Sequence, residues 1–245
     1  MQITFLGTSH GYSDNGKFLS SALVESGGVS YLIDAGAPVE SLLLKYNKNS
    51  DDIRGVFITH MHCDHATFLP MVIEPFLRFR FNDKVTCFMP EKKGLNAFFT
   101  WMRAMHCNMN KLKETVKFKI VKEGTIYNEN GMKVTAKHNL HLSAVGSPSF
   151  SYMLECEGKR VLFTGDMSGG FPEYEDIIDN AEYDLVICEM AHSRFPNVWE
   201  KLAKTKTKKM IITHTWAAAM GDYEPIFKNM PFAIELAKDG QVIEL

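Results

Sequence analysis

Three histidines and one aspartate within six residues constrain this chain more than any other stretch, the segment HMHCDH at residues 60–65. The segment follows residues 54–58, a short run rich in β-branched and aromatic residues that is typical of a buried strand. Open α/β sheets commonly bind their ligands at the carboxyl ends of strands. The sequence therefore predicts a binding site where this strand ends.

The residue types and their spacing favour metal binding. His60 and His62 can point the same way from an extended backbone, while Asp64 and His65 can face a second position about 3–4 Å away, the separation found in two-metal sites. Imidazole nitrogens and carboxylate oxygens suit zinc and similar divalent ions. The simpler alternative is a histidine-rich surface turn without a metal. Four clustered ionisable groups after a buried strand need a compensating partner, however, so we favour the metal site.

The composition is that of an ordinary globular protein. With 245 residues, 45% of them hydrophobic, the chain could form one large domain or two small ones, and it is long enough to bury a sizeable core. The net charge of −2 gives no overall electrostatic footprint for nucleic acid. No leader pattern or run of about 18 apolar residues is present, and the five cysteines lack C-x-x-C spacing. We therefore expect a cytoplasmic protein with reduced thiols and no membrane association.

Alternating and apolar runs predict most of the strands. The predicted strands are residues 2–6, a hairpin of 20–25 and 29–34, then 85–90, 116–121, 132–137, a second hairpin within 151–166, 184–188 and 209–213. Residues 151–166 repeat the pattern of residues 21–36, since each stretch is a hairpin that ends in a loop with an aspartate. This repetition predicts two similar halves of sheet.

The HMHCDH segment resembles the signature of the metallo-β-lactamase superfamily. The resemblance implies an α/β (α+β) fold, a four-layer αββα sandwich of two mixed β-sheets with the metal site between them. Further segments follow in the order of that family: residues 137–143, Thr-Gly-Asp at 164–166, and a histidine after the apolar strand at 209–213. The whole chain is thus expected to form one metallo-β-lactamase-like domain.

The resemblance implies two divalent ions, zinc in the first place, with manganese(II) or iron(II) as alternatives for the same donors. The implied ligands are His60, His62 and His141 for one ion, Asp64, His65 and His214 for the other, and Asp166 between them. Either His138 or His141 can supply the third histidine of the first ion. We favour His141 because it lies closer to the loop 146–149, which leads into the next strand. The implied reaction is hydrolysis by a hydroxide that bridges the two ions, and Asp64 is expected to orient it.

One further histidine favours a particular branch of the superfamily. In the ribonuclease Z and cyclic phosphodiesterase branch, a histidine a couple of dozen residues before the last ligand protonates the leaving group. His192, followed by Ser193, lies 22 residues before His214. The glycine-punctuated loop 7–13 resembles a loop of the same branch. The sequence therefore predicts a phosphodiesterase for a small phosphodiester or cyclic nucleotide, with Asp64 and His192 as catalytic residues.

Two alternatives stay open at this point. A lactonase or thioesterase of the same fold would use the same ions, with His192 as a structural or substrate-positioning residue. A catalytically silent binding or sensor domain would keep only the fold, but the nearly complete ligand set argues against it. No glycine- and proline-rich arm, such as long-form ribonuclease Z uses to grip transfer RNA, is present. We therefore expect a small anionic substrate rather than transfer RNA; a homodimer is compatible with the sequence, which does not fix the oligomeric state.

The sequence also predicts structural roles or positions for three side chains near these motifs. Asp34 is expected to cap the helix predicted at 39–46, with the orientation of a ligand histidine as the alternative. His10 is expected to be a loop histidine without a role, with a place in the pocket wall as the alternative. Cys63 is expected to point into the protein.

Overall fold

Two β-sheets face each other in the computed structural model, which describes residues 1–79 and 84–245. The strands of the first sheet are β1 (Gln2–Gly7), β2 (Ser21–Ser26), β3 (Val29–Ile33), β4 (Ile53–Phe57), β5 (Val85–Met89), β6 (Val116–Ile120) and β14 (Val242–Glu244). The strands of the second sheet are β7 (Gly124–Glu129), β8 (Met132–Asn139), β9 (Ser149–Cys156), β10 (Lys159–Phe163), β11 (Glu182–Glu189), β12 (Lys206–Thr213) and β13 (Ala233–Leu236).

Both sheets are mixed, and their topologies are alike. The first has the order β14-β1-β2-β3-β4-β5-β6, and the second has the order β13-β12-β11-β10-β9-β8-β7. In the first sheet β2 and β3 form an antiparallel hairpin, and β3 then pairs in parallel with β4. In the second sheet β9 and β10 form the equivalent hairpin, and β10 pairs in parallel with β11. The repeated pattern in the sequence thus corresponds to two equivalent hairpins.

The strands are apolar on both faces because each sheet is covered on both sides. Along β2, Val24 points into the core between the sheets, whereas Leu23 points to the opposite face. Tyr31 and Leu32 of β3 divide in the same way. This alternation follows from the two-residue period of a strand, and it explains why these strands appear as nearly continuous apolar runs.

Helices cover the two outer faces. Those on the first sheet are α1 (Val39–Lys45), α2 (Cys63–Ala66), α3 (Leu69–Arg78), α4 (Lys92–Ala104) and α5 (Met109–Thr115). Those on the second sheet are α6 (Tyr174–Ile178), α7 (Phe195–Leu202), α8 (Ala217–Met220) and α9 (Glu224–Lys228). A 3₁₀ turn spans Ser143–Val145. The predicted four-layer αββα sandwich is therefore confirmed.

The order of the strands brings the functional motifs to one end of the sandwich. The motif segments follow the carboxyl ends of β4, β8, β10 and β12, and their side chains meet within a few ångströms. Within the described residues, no helix combines the length and the apolar character needed to cross a membrane.

Candidate metal centre

The HMHCDH segment changes backbone conformation halfway along its length. It is extended up to His62, which has φ −63° and ψ 151°, and the short helix α2 begins at Cys63. His60 therefore projects from an extended segment, while Asp64 and His65 project from the first turn of α2. All three of these side chains are buried, whereas His62 and Cys63 are exposed. The expectation that Cys63 points into the protein was wrong, because the N-terminal turn of α2 leaves that position on the surface.

A glycine allows the chain after β3 to pack against this turn. A Cβ atom at Gly36 would lie 1.7 Å from the carbonyl oxygen of Asp64, which no side chain can accommodate. The contact holds α2 against the first sheet, with Ala35 N donating to His65 O at 2.7 Å. The direction of the Asp64 and His65 side chains thus depends on a close approach that only glycine permits.

Seven side chains of the predicted ligand set lie in two adjoining groups. The first group is His60, His62, His141 and Asp166, and the second is Asp64, His65, Asp166 and His214. Within each group the candidate ligand atoms all lie within 4.8 Å of one another. Asp166 belongs to both groups, as a bridging carboxylate would. Their role as metal ligands stays a prediction, but the fold brings together the residues that the sequence motifs proposed.

The polar atoms of this site lack partners that a metal ion would supply. His60 Nε2, His65 Nε2 and Asp166 Oδ1 are buried and have no hydrogen-bond partner among the described residues. Buried polar groups are almost always satisfied, so unpaired donor atoms that converge on one place indicate a missing partner. Nitrogen and carboxylate oxygen donors in this number suit zinc, manganese or iron. The residues present therefore fit a site for divalent ions.

The electrostatic field at the second group also favours a cation. Burial lowers the pKa of His65, but the carboxylates of Asp166 and Asp34 outweigh burial and raise this pKa well above its usual value. Burial raises the pKa of Asp64, but the His65 and His214 imidazoles outweigh burial and lower it to about 2. Positive charge is thus stabilised at this position, and Asp64 is ionised at neutral pH.

Two of the candidate ligand histidines form hydrogen bonds through Nδ1, the ring nitrogen that faces away from the centre. His65 Nδ1 lies 2.7 Å from Asp34 Oδ2, and Asp34 Oδ1 also accepts from Thr59 N at 2.8 Å. His214 Nδ1 lies 2.8 Å from Ser20 Oγ. Such partners fix the ring orientation and the tautomer of a metal-binding histidine.

The prediction that Asp34 caps the next helix was wrong. Helix α1 has Pro38 at its N-cap and no side-chain cap, so the alternative, orientation of a ligand histidine, describes its contacts. Asp34 and His214 both lie in the left-handed region, with φ 59° and 49°. Residues other than glycine rarely adopt this conformation, and it is often retained at functional sites.

The structure brings His141, and not His138, to the candidate metal centre. His141 Nε2 lies 3.2 Å from His62 Nδ1, whereas His138 is exposed and packs edge-on against Phe150. The difference arises at the end of β8, where the chain leaves the sheet after Asn139. His138 is still part of β8, and its side chain lies on the exposed side of the strand. His141 lies after the strand, in the turn that leads to the site.

A buried carboxylate fixes the loop that carries His141. Glu173 Oε1 accepts from Leu140 N at 3.1 Å and from Ser168 N at 2.7 Å. It therefore ties this loop to the loop after Asp166. No sequence motif indicated Glu173, since its partners lie in distant segments.

His192 lies beside both groups without belonging to either. Its Nε2 is 3.9 Å from Asp166 Oδ2, and its ring is 4.5 Å from the ring of His141. On the other side, His192 Nδ1 lies 3.0 Å from Oε1 of the buried Glu189. Glu189 is a site residue that no sequence motif included, although its place at the end of β11, three residues before His192, is a local signal for it.

These groups open into a pocket of about 360 Å³. The residues that line it are His10, Gly11, Tyr12, His62, Asp64, Asp166, Ala191, His192, His214 and Trp216. The prediction that His10 is a loop histidine without a role was wrong, because His10 forms part of the pocket wall. A larger groove of about 830 Å³ lies at the amino ends of β10 to β12, away from the histidines, and its charges pair with one another, as Lys208 does with Asp184 at 2.6 Å.

Comparison with known proteins identifies a family and a fold. The family model described as "Anti-Pycsar protein Apyc1" matches residues 1–242. Ribonuclease Z of Bacillus thuringiensis (strain Al Hakam) is 26% identical over 166 residues, which cover 66% of this chain and 49% of that protein. The alignment thus spans about half the length of the curated relatives.

Solved structures resemble the chain over nearly its whole length. The short form of human tRNase Z has a TM-score of 0.75 at 20% identity and covers 100% of this chain and 99% of its own. The metallo-β-lactamase fold protein YhfI from Bacillus subtilis has a TM-score of 0.75 at 16% identity, with 99% coverage of both chains. A diphosphatase from the PhnP family has a TM-score of 0.75 at 20% identity and covers 100% of this chain and 97% of its own.

Proposed function

The chain belongs to the Anti-Pycsar protein Apyc1 family, in the ribonuclease Z branch of the metallo-β-lactamase superfamily, and we propose that it is a phosphodiesterase for a small phosphodiester or cyclic nucleotide. Its relatives and structural neighbours include ribonuclease Z, tRNase Z and a PhnP-family diphosphatase, and they support a metal-dependent hydrolase. The phosphodiester substrate is our inference from the site.

The position of His192 carries this proposal. It faces the pocket beside Asp166 but lies outside both candidate ligand groups, so its Nε2 is free to give a proton to substrate. A phosphodiester with an alkoxide leaving group needs such an acid, because the alkoxide leaves poorly without a proton. A lactone or thioester has less need of it, which is why this residue favours the phosphodiester.

The protonation state of His192 suits an acid. Burial lowers its pKa, but the hydrogen bond to Glu189 and the charge of Asp166 outweigh burial and raise the pKa to about 9. Glu189 makes the larger raising contribution and lies on the Nδ1 side, away from the candidate ligand groups, so it favours a protonated ring that can transfer the proton on Nε2 to the departing oxygen. Glu189 keeps the ring in place through Nδ1 while this happens.

The seven side chains of the two groups would hold two divalent ions. When bound, such ions supply Lewis acidity, which stabilises the negative charge that develops on phosphate and lowers the pKa of a water. Asp64, which is ionised and lines the pocket, can accept a hydrogen bond from the attacking water and orient it towards phosphorus. As the water oxygen forms a P–O bond, the water releases one proton to solvent past Asp64, and the opposite P–O bond breaks as His192 protonates the leaving oxygen. Solvent then returns a proton to His192.

The lining of the pocket supports a small substrate. Among its described lining residues there is no lysine or arginine, so the protein offers no row of cations for successive phosphates of a nucleic acid. A volume of about 360 Å³ matches a mononucleotide-sized ligand. We therefore favour a substrate with one phosphodiester over transfer RNA.

The test is a comparison of substrates with the metal-loaded protein. A cyclic nucleotide and bis(p-nitrophenyl) phosphate are assayed beside a lactone and a thioester, each with and without a chelator. We expect turnover of the phosphodiesters that the chelator abolishes. Preference for the lactone or thioester would reject the phosphodiester as the substrate class. If elemental analysis after purification without chelator finds fewer than about half an ion per chain, and no substrate is turned over, a silent binding domain is favoured.

A further inference from the structure

We propose that Tyr12 and Trp216 form an aromatic subsite that binds the flat ring of the substrate, and that these two residues determine specificity for a phosphodiester carrying a nucleobase. This inference rests on the proposed function, since it assigns the part of the pocket that the chemistry at phosphorus does not use.

The two rings belong to segments that are far apart in the sequence but line the same pocket. Tyr12 lies in the loop after β1, and Trp216 follows the candidate ligand His214 by two residues. Both line the pocket that also contains Asp166 and His192. A substrate whose phosphate lies against Asp166 therefore has these rings within the same cavity.

Exposure alone would not single out this pair. Tyr12 is 64% exposed and Trp216 is 38% exposed, but Trp101 on α4 is 54% exposed as well. What distinguishes Tyr12 and Trp216 is their place in a pocket beside a polar centre, where exposed apolar surface commonly marks a ligand site.

A buried histidine supports the two rings. His10 lies edge-on to Tyr12, with ring centroids 4.7 Å apart, and its centroid is 6.1 Å from that of Trp216. The His10 side chain is buried, and its Nε2 has no hydrogen-bond partner among the described residues. An unpaired buried nitrogen in the wall of a pocket is suited to a polar group of a ligand.

The loop that carries His10 and Tyr12 is tied down at both ends. Thr8 Oγ1 donates to Asp239 Oδ1 at 2.7 Å, and Phe18 N donates to Asp239 Oδ2 at 2.7 Å. Thr8 O accepts from His214 N at 3.1 Å, which joins this loop to the segment that carries Trp216. The distance between the two aromatic residues is therefore set by the fold.

The chemistry of the lining indicates a ring and not a second phosphate. Apart from His10, His192 and the histidines and aspartates of the centre, the described lining consists of Gly11, Tyr12, Ala191 and Trp216. None of these carries a positive charge, whereas a nucleobase stacks favourably on tyrosine or tryptophan. The pocket thus combines candidate metal ligands with two aromatic rings.

The test measures binding directly, so that it does not depend on turnover. The metal-loaded protein is titrated in a calorimeter with adenosine 5′-monophosphate and with ribose 5-phosphate, which differs in lacking the base. We expect the nucleotide to bind at least about tenfold more tightly, as one base–aromatic stack provides. In Trp216→Leu and Tyr12→Leu this preference should fall about tenfold, while the affinity for ribose 5-phosphate stays the same.

Three controls separate the subsite from general damage. Trp216→Phe keeps a ring and should retain most of the preference, and Trp101→Leu removes an exposed tryptophan outside the pocket and should change nothing. Metal content is measured for each variant, since a folded centre retains its ions. Equal affinities for the two ligands in the unmodified protein, or an unchanged preference in both leucine variants, would overturn the assignment.

The two proposals fail in different ways. If the protein hydrolyses no phosphodiester but still prefers the nucleotide, the proposed activity is wrong and the aromatic subsite stands. If it hydrolyses bis(p-nitrophenyl) phosphate but binds both ligands equally, the activity stands and the subsite is wrong.

Discussion

The ring of His192 lies between two carboxylates, with Nδ1 3.0 Å from Oε1 of Glu189 and Nε2 3.9 Å from Oδ2 of Asp166. Glu189 also accepts hydrogen bonds from the backbone amides of Met167, Ala191 and His192, at 2.9, 2.6 and 3.2 Å. The carboxylate is therefore fixed independently of the imidazole. This arrangement gives His192 one nitrogen anchored in the protein and one directed to the pocket.

Replacing the anchoring carboxylate should change the pH dependence of the reaction. Burial lowers the pKa of His192, but Glu189 and Asp166 outweigh burial and raise this pKa, with Glu189 making the larger contribution. In Glu189→Gln we expect the alkaline fall of kcat to begin about one pH unit or more lower. A pH–rate profile between about pH 6 and 10 measures this shift.

The other titratable groups that face His192 are chemically unchanged in this variant. They are the imidazoles of His141, His214 and His65 and the carboxylate of Asp166. A shift of the alkaline limb can then be attributed to Glu189. If that limb does not move, Glu189 has only a structural role.

Removal of His192 should affect substrates according to their leaving groups. In His192→Ala we expect kcat for a cyclic nucleotide to fall by about 10²–10⁴-fold, because the alkoxide then departs without a proton. Bis(p-nitrophenyl) phosphate should lose far less, since p-nitrophenolate is a good leaving group. Steady-state kinetics on both substrates, with metal content measured in parallel, tests this.

His138→Ala serves as the matched control for His192→Ala, because His138 is an exposed histidine outside the centre. It should leave both substrates unaffected. An equal loss on both substrates in His192→Ala would mean that His192 does not act as the acid.

The pair of histidines near the end of β8 should differ in their effect on metal content. His141 lies with His60, His62 and Asp166 in one candidate ligand group, whereas His138 points to the surface. We expect His141→Ala to reduce the metal content from about two ions per chain towards one, and His138→Ala to leave it unchanged. Elemental analysis after purification without chelator decides the matter, and the reverse result would assign the third histidine to His138.

The hydrogen bond between His65 and Asp34 should strengthen metal binding, although Asp34 belongs to neither candidate ligand group. Asp34 Oδ2 lies 2.7 Å from His65 Nδ1 and holds that ring with its other nitrogen towards Asp166. In Asp34→Asn we expect the affinity for metal to fall by about 10–100-fold, as is typical when such a partner is lost. Competition with a chromogenic chelator gives the affinity.

Asp222 provides a control of the same chemistry, because it is exposed in the loop between α8 and α9. Asp222→Asn should bind metal like the unmodified protein. Equal affinities in all three proteins would show that Asp34 supports only the backbone at Thr59, which it also contacts.

Much of the fold could be predicted because its signals are local. Apolar runs with the two-residue period predicted β1 to β6 and β8 to β12, usually within one to three residues of their ends, but they did not predict β7, β13 or β14. Strand β7 was missed, because the ladder to β8 shifts register between Thr125 and Tyr127. A bulge of this kind interrupts the alternation on which the prediction depends.

The candidate site, like the fold, has features that local sequence signals predict and features that they do not. The sequence by itself determined which strand ends carry imidazoles and carboxylates, and in which order, since each motif is contiguous and follows its own strand. Only the tertiary structure decided that His141 reaches the centre, that Glu189 and Asp34 support His192 and His65, and that Tyr12 and Trp216 line one pocket. These relationships depend on sheet pairing, loop conformation and close packing between segments.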